Sequence, residues 1–273
     1  MNKIGIVITC KNLLEYTRGA IESIETKYPF LLVVIDDFST DETKEYLELL
    51  SQHYRDSAHI ITDPLTYSLA EKWNIGAQYC FDADCDAVLI CNNDIVFHPV
   101  TIDRLVERME KGDVGMVTAH NMRGQSFHVP IPLPDQYKEV PGVTRAYVPV
   151  DITAETLAAS PAPTPEISTE APHPDFSCFL LSRSTWDTVG KFDEKFAPCY
   201  WEDSDFHLRM GKAKIKAIAT TSAPYLHYGS RTQNSVEGGI CKGEQFNRLR
   251  DYLRQKHGTV PGEPEYERIC SGV

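Results

Sequence analysis

The chain has 273 residues, of which 42% are hydrophobic, and this is enough for one large domain with a substantial core. Its 27 Lys and Arg residues are outnumbered by 39 Asp and Glu residues, which gives a formal net charge of −12. This acidic balance argues against nucleic acid as a partner and against electrostatic binding to an anionic membrane.

The N-terminal residues do not have the pattern of a secretion signal, because the apolar run at 4–8 is short and ends at Thr9, Cys10 and Lys11. No stretch approaches the roughly 18 apolar residues needed to span a bilayer. The eight cysteines are scattered without zinc-site spacing, and we expect reduced thiols. We therefore expect a cytoplasmic protein without a transmembrane segment. Peripheral membrane association and the oligomeric state stay open.

Residues 1–120 alternate between short apolar runs, which predict buried strands, and amphipathic runs, which predict helices. This alternation predicts an α/β fold with a Rossmann-like, mostly parallel central sheet flanked by helices. Ligands of such sheets bind beyond the carboxyl ends of the strands, where Thr9, Asp37 and Asp94 are expected. The predicted strands are 4–9, 31–35, 59–62, 87–91 and 114–118, and the predicted helices are 14–25, 43–51, 68–79 and 101–111.

Residues 121–174 differ in composition, because they are rich in Pro, Ser, Thr and Ala. We expect a Pro-rich insertion with few strands and an exposed loop at 158–172. Two interpretations stay open for this insertion, a flexible excursion or a lid on the acceptor side of a binding site.

Regular patterns return after residue 175. They predict strands at 176–182 and 215–220 and helices at 183–189, 202–212 and 242–257. Gly190 is expected to end the helix predicted at 183–189. Phe246, Leu249 and Leu253 form the expected buried face of the last helix.

Three acidic segments are candidates for chemistry. In Asn92-Asn93-Asp94, a carboxylate after a buried strand could hold Mn²⁺ or Mg²⁺ on a diphosphate, although Asn and Asp also favour turns. Asp37 could accept a hydrogen bond from a base or a ribose, or belong to a capping turn. The carboxylates of the third segment, 201–205, have two possible roles. They could interact favourably with the dipole at the start of a helix, or they could supply a general base and an acceptor-binding carboxylate.

The remaining candidates depend on residues that only the fold can bring together. His227 follows a predicted strand, and a His that meets Asp94 could share a metal ion with it. Arg231 could contact a phosphate. Tyr200 and Trp201 stand beside the third acidic segment and would suit the apolar face of a sugar.

Six segments follow one another along the chain: 7–12 (VITCKN), 35–41 (IDDFSTD), 70–76 (AEKWNIG), 92–94 (NND), 189–194 (VGKFDE) with 201–209 (WEDSDFHLR), and 226–232 (LHYGSRT). Taken in this order, they resemble the family 2 inverting glycosyltransferases with the GT-A fold, over about residues 3–120 and 175–235. NND stands in the place of the D-x-D motif of that family, and the last segment is similar to the histidine segment of its rhamnosyltransferase-like members.

The resemblance implies a donor side and a division of the chain. Thr9, Asp37, Asn92, Asn93 and Arg231 would bind a nucleotide-diphosphate sugar, with UDP- and dTDP-sugars favoured. One compact domain would comprise a nucleotide-sugar-binding half (1–120), the insertion (121–174), an acceptor-binding and catalytic half (175–240), and a C-terminal helix and tail (241–273). The acceptor would be a hydroxyl of a glycan or another molecule.

The resemblance also implies the catalytic roles. Asp94 and His227 would hold Mn²⁺ or Mg²⁺, Asp203 would be the general base, and Glu202 would contact the acceptor. The sequence departs from the family pattern at Asn92, which leaves the metal with fewer carboxylates. It departs again at the insertion, which has no counterpart and is expected to influence acceptor choice.

Three other classes of protein fit the sequence less well. A sugar-phosphate nucleotidyltransferase would carry a glycine-rich loop after the first strand, and residues 9–14 contain no glycine. A non-catalytic carbohydrate-binding relative would be expected to lack the Glu202-Asp203 pair. A glycosidase also needs two carboxylates but no nucleotide-type parallel sheet.

Overall fold

The computed structural model describes residues 1–54, 57–62, 68–131, 146–163, 168–172, 174–229 and 243–271, apart from the side chains of 127–131 and 146–149. Its strands are β1 Ile4–Cys10, β2 Phe30–Asp36, β3 Ala58–Thr62, β4 Ala87–Asn92, β5 Ile95–Phe97, β6 Met116–Asn121, β7 Ser126–Ile131, β8 Ala146–Asp151, β9 Glu170–Ala171, β10 Cys178–Ser182 and β11 Ala217–His227. Its helices are α1 Leu14–Glu22, α2 Thr43–His53, α3 Leu69–Asp82, α4 Thr101–Met109, α5 Ala154–Leu157, α6 Arg183–Val189, α7 Glu202–Lys212, α8 Glu244–His257 and α9 Pro264–Cys270.

The central sheet of the described residues has the strand order β3-β2-β1-β4-β10-β6-β11-β5, with β9 beside β11. Strands β1 to β4 pair in parallel, and so do β6 and β11. β10 lies antiparallel between β4 and β6, while β5 and β9 pair antiparallel with β11. The predicted mostly parallel sheet is therefore confirmed, and the antiparallel strands come from short segments outside the regular alternation.

The two faces of the sheet are covered by different helices, because successive side chains of a strand point to opposite sides. On β1, Ile4, Ile6 and Ile8 belong to the core shared with α1, α2 and α4. Val7 points the other way, into the core shared with α3, α6 and α7. Both faces of β1 are apolar, which is the reason that its sequence is an uninterrupted apolar run.

Helix α3 lies unusually close to β1, and Gly76 makes this possible. A Cβ atom at residue 76 would stand 2.4 Å from Cγ1 of Val7. Only glycine therefore permits the observed helix–strand spacing, which places the start of α3 beside the carboxyl ends of the strands.

The insertion is partly regular. β7 and β8 form a separate hairpin, and Ile152 and Leu157 are buried against Leu226 of β11. Residues 158–163 and 168–172 are mostly exposed, as expected for a loop. The rest of the predicted loop lies outside the described residues.

The C-terminal helices form their own small core against α7. Leu249 and Leu253 of α8 are buried and Phe246 is partly buried, as predicted, and they pack with Phe196 and Tyr266. Helix α9 and strand β5 were not predicted, and β11 continues to His227 beyond its predicted end at 220. Nowhere in the described part of the chain is a helix long and apolar enough to cross a membrane.

Candidate active site

The carboxyl ends of β1, β2 and β4 meet at one edge of the sheet. Thr9 of β1 is in register with Ile35 of β2 and with Asn92 of β4, and the backbone N–H of Asp37 donates to the carbonyl of Cys10 at 2.8 Å. Three of the predicted donor-binding residues are therefore neighbours, as expected for the ends of adjacent parallel strands.

The two aspartates after β2 have separate environments. Asp36 is buried and accepts hydrogen bonds from the Ser39 backbone at 3.1 Å and the Ser39 hydroxyl at 2.5 Å. The Ser39 hydroxyl oxygen in turn accepts from the Asn12 backbone at 2.7 Å. Asp36 therefore holds the two turns together, and Asp37 is the partly exposed carboxylate at the sheet edge.

Two lysines contact Asp37. Lys72 Nζ lies 2.8 Å from Asp37 Oδ2, and Lys11 Nζ lies 3.3 Å from the same oxygen. Lys72 is the more buried of the two, with 13% of its side chain exposed against 44% for Lys11. Both lysines stand inside family-like segments, but sequence alone gives them no role, because an isolated lysine usually faces solvent.

Asn74 joins the two halves of the site. Its Nδ2 donates to the Phe192 carbonyl at 2.9 Å and to Glu194 Oε1 at 2.8 Å, and its Oδ1 accepts from the Phe192 backbone at 2.8 Å. Asn74 is buried, so all its polar atoms need such partners. These hydrogen bonds explain physically why the segments AEKWNIG and VGKFDE occur in one chain.

The predicted metal ligands are brought together. Asp94 precedes β5, His227 ends β11, and the pairing of these strands puts His227 opposite Ile95. His227 Nε2 lies 3.1 Å from Asp94 Oδ1, and both side chains are largely buried. Within the described ranges, no group of three His, Cys, Asp or Glu residues could hold a metal ion. The pair offers one carboxylate oxygen and one imidazole nitrogen to a divalent cation whose other ligands are phosphate oxygens.

The remaining donor-side candidates, Asn93 and Arg231, are not placed beside the Asp94–His227 pair by any described side-chain contact. The Asn93 amide donates to the Thr17 hydroxyl of α1 at 3.0 Å, so this side chain points towards the helix. Arg231 lies outside the described residues. Arg123, which the sequence analysis did not consider, donates to the carbonyl of Tyr228, one residue after His227. It brings a cation close to the Asp94–His227 pair.

A chain of polar and aromatic contacts leads from His227 towards the acidic pair. The Tyr225 ring lies nearly parallel to the His227 ring at 6.3 Å, and its hydroxyl donates to Asp175 Oδ2 at 3.2 Å. Burial raises the pKa of Asp203, and the negative charge of Asp175 adds a smaller contribution in the same direction. The backbone N–H of Asn92 donates to the carbonyl of Ser177 at 3.0 Å, so the segment 174–177 touches both sides of the site.

The predicted catalytic pair opens α7, as expected. Burial raises the pKa of Asp203 despite hydrogen bonds from Ser204, and Asp203 is thereby a stronger base. Burial first, and the charge of Asp203 second, raise the pKa of Glu202 well above its ordinary value. Glu202 is only 4% exposed, whereas Asp203 lines a cleft with a volume of about 230 Å³. Asp203 is therefore the carboxylate that a ligand can reach.

The aromatic residues before the pair pack against the C-terminal helix. The Trp201 indole donates to the Phe246 carbonyl at 3.1 Å, and the Tyr200 ring contacts the Phe246 ring edge-on at 5.4 Å. The rings that line the cleft are instead those of Phe176 and Tyr266. The sequence could not distinguish these pairs, because Tyr266 is separated from Asp203 by 63 residues.

Asp205, in the same acidic segment, has a structural role. It is fully buried and contacts Arg209 Nε at 2.8 Å, Lys256 Nζ at 2.6 Å and His257 Nε2 at 2.7 Å. Burial alone would raise the pKa of Asp205, but His257, Arg209 and Lys256 outweigh it and lower the value to about 2. Asp205 joins α7 to α8.

Comparison with known proteins adds sequence relatives. A family model described as "Glycosyl transferase family 2" matches residues 5–187. The chain is 24% identical over 251 residues to the O-antigen biosynthesis protein RfbC of Myxococcus xanthus, and this match covers 85% of the chain and 18% of that protein. It is 26% identical over 229 residues to a galactofuranosyl glycosyltransferase of Leishmania donovani, and this match covers 75% of the chain and 51% of that protein. The chain thus spans about half the length of these relatives or less.

Solved structures with a similar fold are also known. GalNAc-T7 with UDP, GalNAc and Mn²⁺ matches with a TM-score of 0.63 and 14% identity, over 92% of this chain and 48% of that one. The mannosyltransferase PcManGT from Pyrobaculum calidifontis, in complex with GDP-Man and Mn²⁺, matches with a TM-score of 0.59 and 15% identity, over 98% and 68%. At these identities the likeness concerns the fold alone, and it confirms the predicted GT-A architecture.

Proposed function

The chain belongs to glycosyl transferase family 2, and on this basis we propose that it transfers a sugar from a nucleotide-diphosphate donor to a hydroxyl of a glycan or another acceptor. The reaction proceeds with inversion, and UDP- and dTDP-sugars are the favoured donors. The observation that carries the proposal is the buried Asp94–His227 pair at the strand ends.

The donor occupies the edge where β1, β2 and β4 end. Asp37 accepts hydrogen bonds from the nucleoside, with Thr9 and Asn92 beside it. The Asn93 side chain is directed to Thr17 of α1 instead. Lys72, which contacts Asp37, supplies positive charge close to the phosphates. Two relatives of similar fold were solved with a nucleotide or nucleotide sugar and Mn²⁺, which supports a donor of this class.

Asp94 and His227 would hold Mn²⁺ or Mg²⁺ through one carboxylate oxygen and one imidazole nitrogen. A divalent cation there neutralises negative charge on the diphosphate leaving group. Arg123 and, by analogy, Arg231 contribute further positive charge. This arrangement also explains how a chain with a net charge of −12 binds an anionic donor.

Asp203 takes the proton of the acceptor hydroxyl as the new glycosidic bond forms. Its buried position strengthens it as a base, and its place in the cleft lets an acceptor reach it. Glu202 lies next to it at the helix start, but this side chain is buried, so it supports the acceptor side without reaching the ligand. A carboxylate positioned in this way typically contributes about 10²–10⁴-fold to the rate.

The donor site is tested by incubating purified protein with Mn²⁺ and a panel of UDP-, dTDP- and GDP-sugars. Nucleotide release and thermal shift are measured, with and without EDTA. We expect release and stabilisation with at least one donor, both of them lost in EDTA. The absence of binding to every donor in the presence of metal would overturn the donor site.

The base is tested by Asp203→Asn, with Asp187→Asn on the exposed side of α6 as the matched control. We expect the Asp203 variant to lose about 10²–10⁴-fold in transfer while its nucleotide affinity stays unchanged. The control should keep both properties. Transfer that survives in Asp203→Asn would show that another group is the base.

A further inference from the structure

The cleft beside Asp203 is built mainly by residues outside the part of the chain that matches the family model, which ends at residue 187. One wall comes from the start of α7, and the opposite wall comes from α9 and the turn before it. The described lining residues are Pro174, Phe176, Asp203, Ser204, His207, Pro261, Tyr266 and Glu267.

The chemistry of this lining is specific. Two aromatic rings and two prolines provide apolar surface, and the carboxylates of Asp203 and Glu267 with the Ser204 hydroxyl provide oxygen acceptors. No Lys or Arg is among the described lining residues. A phosphate or carboxylate in this cleft would face the Asp203 and Glu267 carboxylates, and His207 is the only described lining residue that could carry a positive charge. An uncharged sugar ring, in contrast, has hydroxyls for the oxygens and C–H faces for the apolar surface.

The size of the cleft limits how much it can hold. Its volume of about 230 Å³ is below the roughly 300–1,000 Å³ of pockets that enclose drug-sized ligands. This is suitable for a single ring, and further rings of an oligosaccharide would extend beyond the cleft.

The wall made by α9 is fixed in place. The Tyr266 hydroxyl lies 3.2 Å from His207 Nδ1, and its ring contacts the His207 ring edge-on at 5.9 Å. The backbone N–H of Gly262 donates to Glu267 Oε1 at 3.3 Å, which orients this carboxylate. Tyr266 is 5% exposed, so its side chain forms part of the packed core and of the cleft at once.

We propose that this cleft is the acceptor subsite and binds one uncharged pyranose ring at the end of a glycan acceptor, with Tyr266 and Glu267 as the residues that determine specificity. The inference rests on the proposed transferase function, since it uses Asp203 as the base at the cleft. It assigns acceptor choice to the last ten residues of the described chain as well as to the start of α7.

Binding is tested directly with methyl glycosides of glucose, galactose, mannose and rhamnose as neutral probes, and with methyl glucuronide as the anionic probe. Saturation-transfer NMR on the full chain measures binding with UDP and Mn²⁺ present. We expect at least one neutral glycoside to bind, with methyl glucuronide at least tenfold weaker. Tyr266→Ala should abolish the signal, and Tyr266→Phe, which keeps the ring, should retain most of it.

The charge of the cleft is tested by Glu267→Lys, with Glu265→Lys on the exposed side of the same helix as the matched control. We expect only the first variant to bind methyl glucuronide at least tenfold better than the unchanged chain does. Stronger binding of the anionic probe by the unchanged protein, or equal behaviour of the two lysine variants, would overturn the inference. A retained signal in Tyr266→Ala would also overturn it.

The same experiment separates this inference from the proposed function. Glycosides that bind in the cleft without any nucleotide release from the donor panel would refute the transferase and leave the sugar subsite intact. Nucleotide release without binding of any neutral glycoside, or binding that Tyr266→Ala does not affect, would support the transferase and refute the subsite.

Discussion

Glu202→Gln is expected to raise the thermal stability of the protein at neutral pH, and the reason lies in the burial of this carboxyl group. Glu202 is 4% exposed, and its Oε2 has no hydrogen-bond partner within the described residues. Burial, with a contribution from the Asp203 charge, raises the pKa of Glu202 well above 4.5. The folded protein therefore keeps a proton that the unfolded chain releases, and its stability falls as pH rises above 4.5.

The magnitude follows from the cost of keeping the Glu202 carboxyl protonated at neutral pH. Each pH unit above the ordinary pKa adds at most about 1.4 kcal/mol to this cost, and a glutamine does not incur it. For a chain of this size, 1 kcal/mol shifts the melting temperature by about 2–4 °C. We expect Glu202→Gln to melt on the order of 5 °C higher at pH 7, and the difference should approach zero near pH 4, where both side chains are uncharged.

The assay is calorimetric melting of the unchanged chain and of Glu202→Gln from pH 4 to pH 8. Glu48→Gln, on the exposed face of α2, serves as the control and should show no difference at any pH. Because glutamine imitates a protonated glutamate, transfer should stay within about tenfold of the unchanged rate. A lower melting temperature for Glu202→Gln at pH 7, or an offset that is constant across the pH range, would refute the reasoning.

Three further predictions concern the other charged contacts of the site. Asp205→Asn should lower the melting temperature by about 5–10 °C at pH 7, because it leaves cations of α7 and α8 without their buried partner. Since the pKa of Asp205 is lowered to about 2, its contribution of about 2 kcal/mol is present above pH 4 and is lost between pH 4 and pH 2, where the two melting curves should converge. Lys72→Ala should weaken nucleotide binding about tenfold by titration calorimetry, whereas Lys44→Ala on the exposed face of α2 should not change it. His227→Ala should raise the Mn²⁺ concentration for half-maximal nucleotide release at least tenfold, and an unchanged metal requirement would show that His227 is not a ligand.

The donor half was predictable from the sequence because its signals are local. Buried strands appear as apolar runs, and polar residues directly after them must lie at the edge where the strands end. Thr9, Asp37 and Asp94 were placed in this way. The family-like motif added His227 as the partner of Asp94, which the pairing of β5 with β11 explains.

The contacts that complete the site were not predictable, because they join distant segments. Asp175 lies in an irregular stretch before β10, and its hydrogen bond with Tyr225 depends on how that stretch crosses the sheet edge. Strand β5 has three residues, too few for a period to appear. Tyr266 lies in a helix of seven residues whose sequence shows no strong apolar stripe, and only tertiary packing gives it a role.

The hydrogen bonds of Asn74 have a consequence for chimeric proteins. Asn74 belongs to the part of the chain that matches the family model, and it holds residues 192–194, from which the chain continues to the cleft. A junction placed after residue 194 would keep this connection when the C-terminal part is exchanged with that of a relative. Such a hybrid should retain its sugar-nucleotide preference and acquire the acceptor preference of the grafted part. A junction between residues 74 and 192 would instead separate Asn74 from its own 192–194 segment, and a grafted segment that does not match Asn74 would uncouple the donor part from the acceptor part.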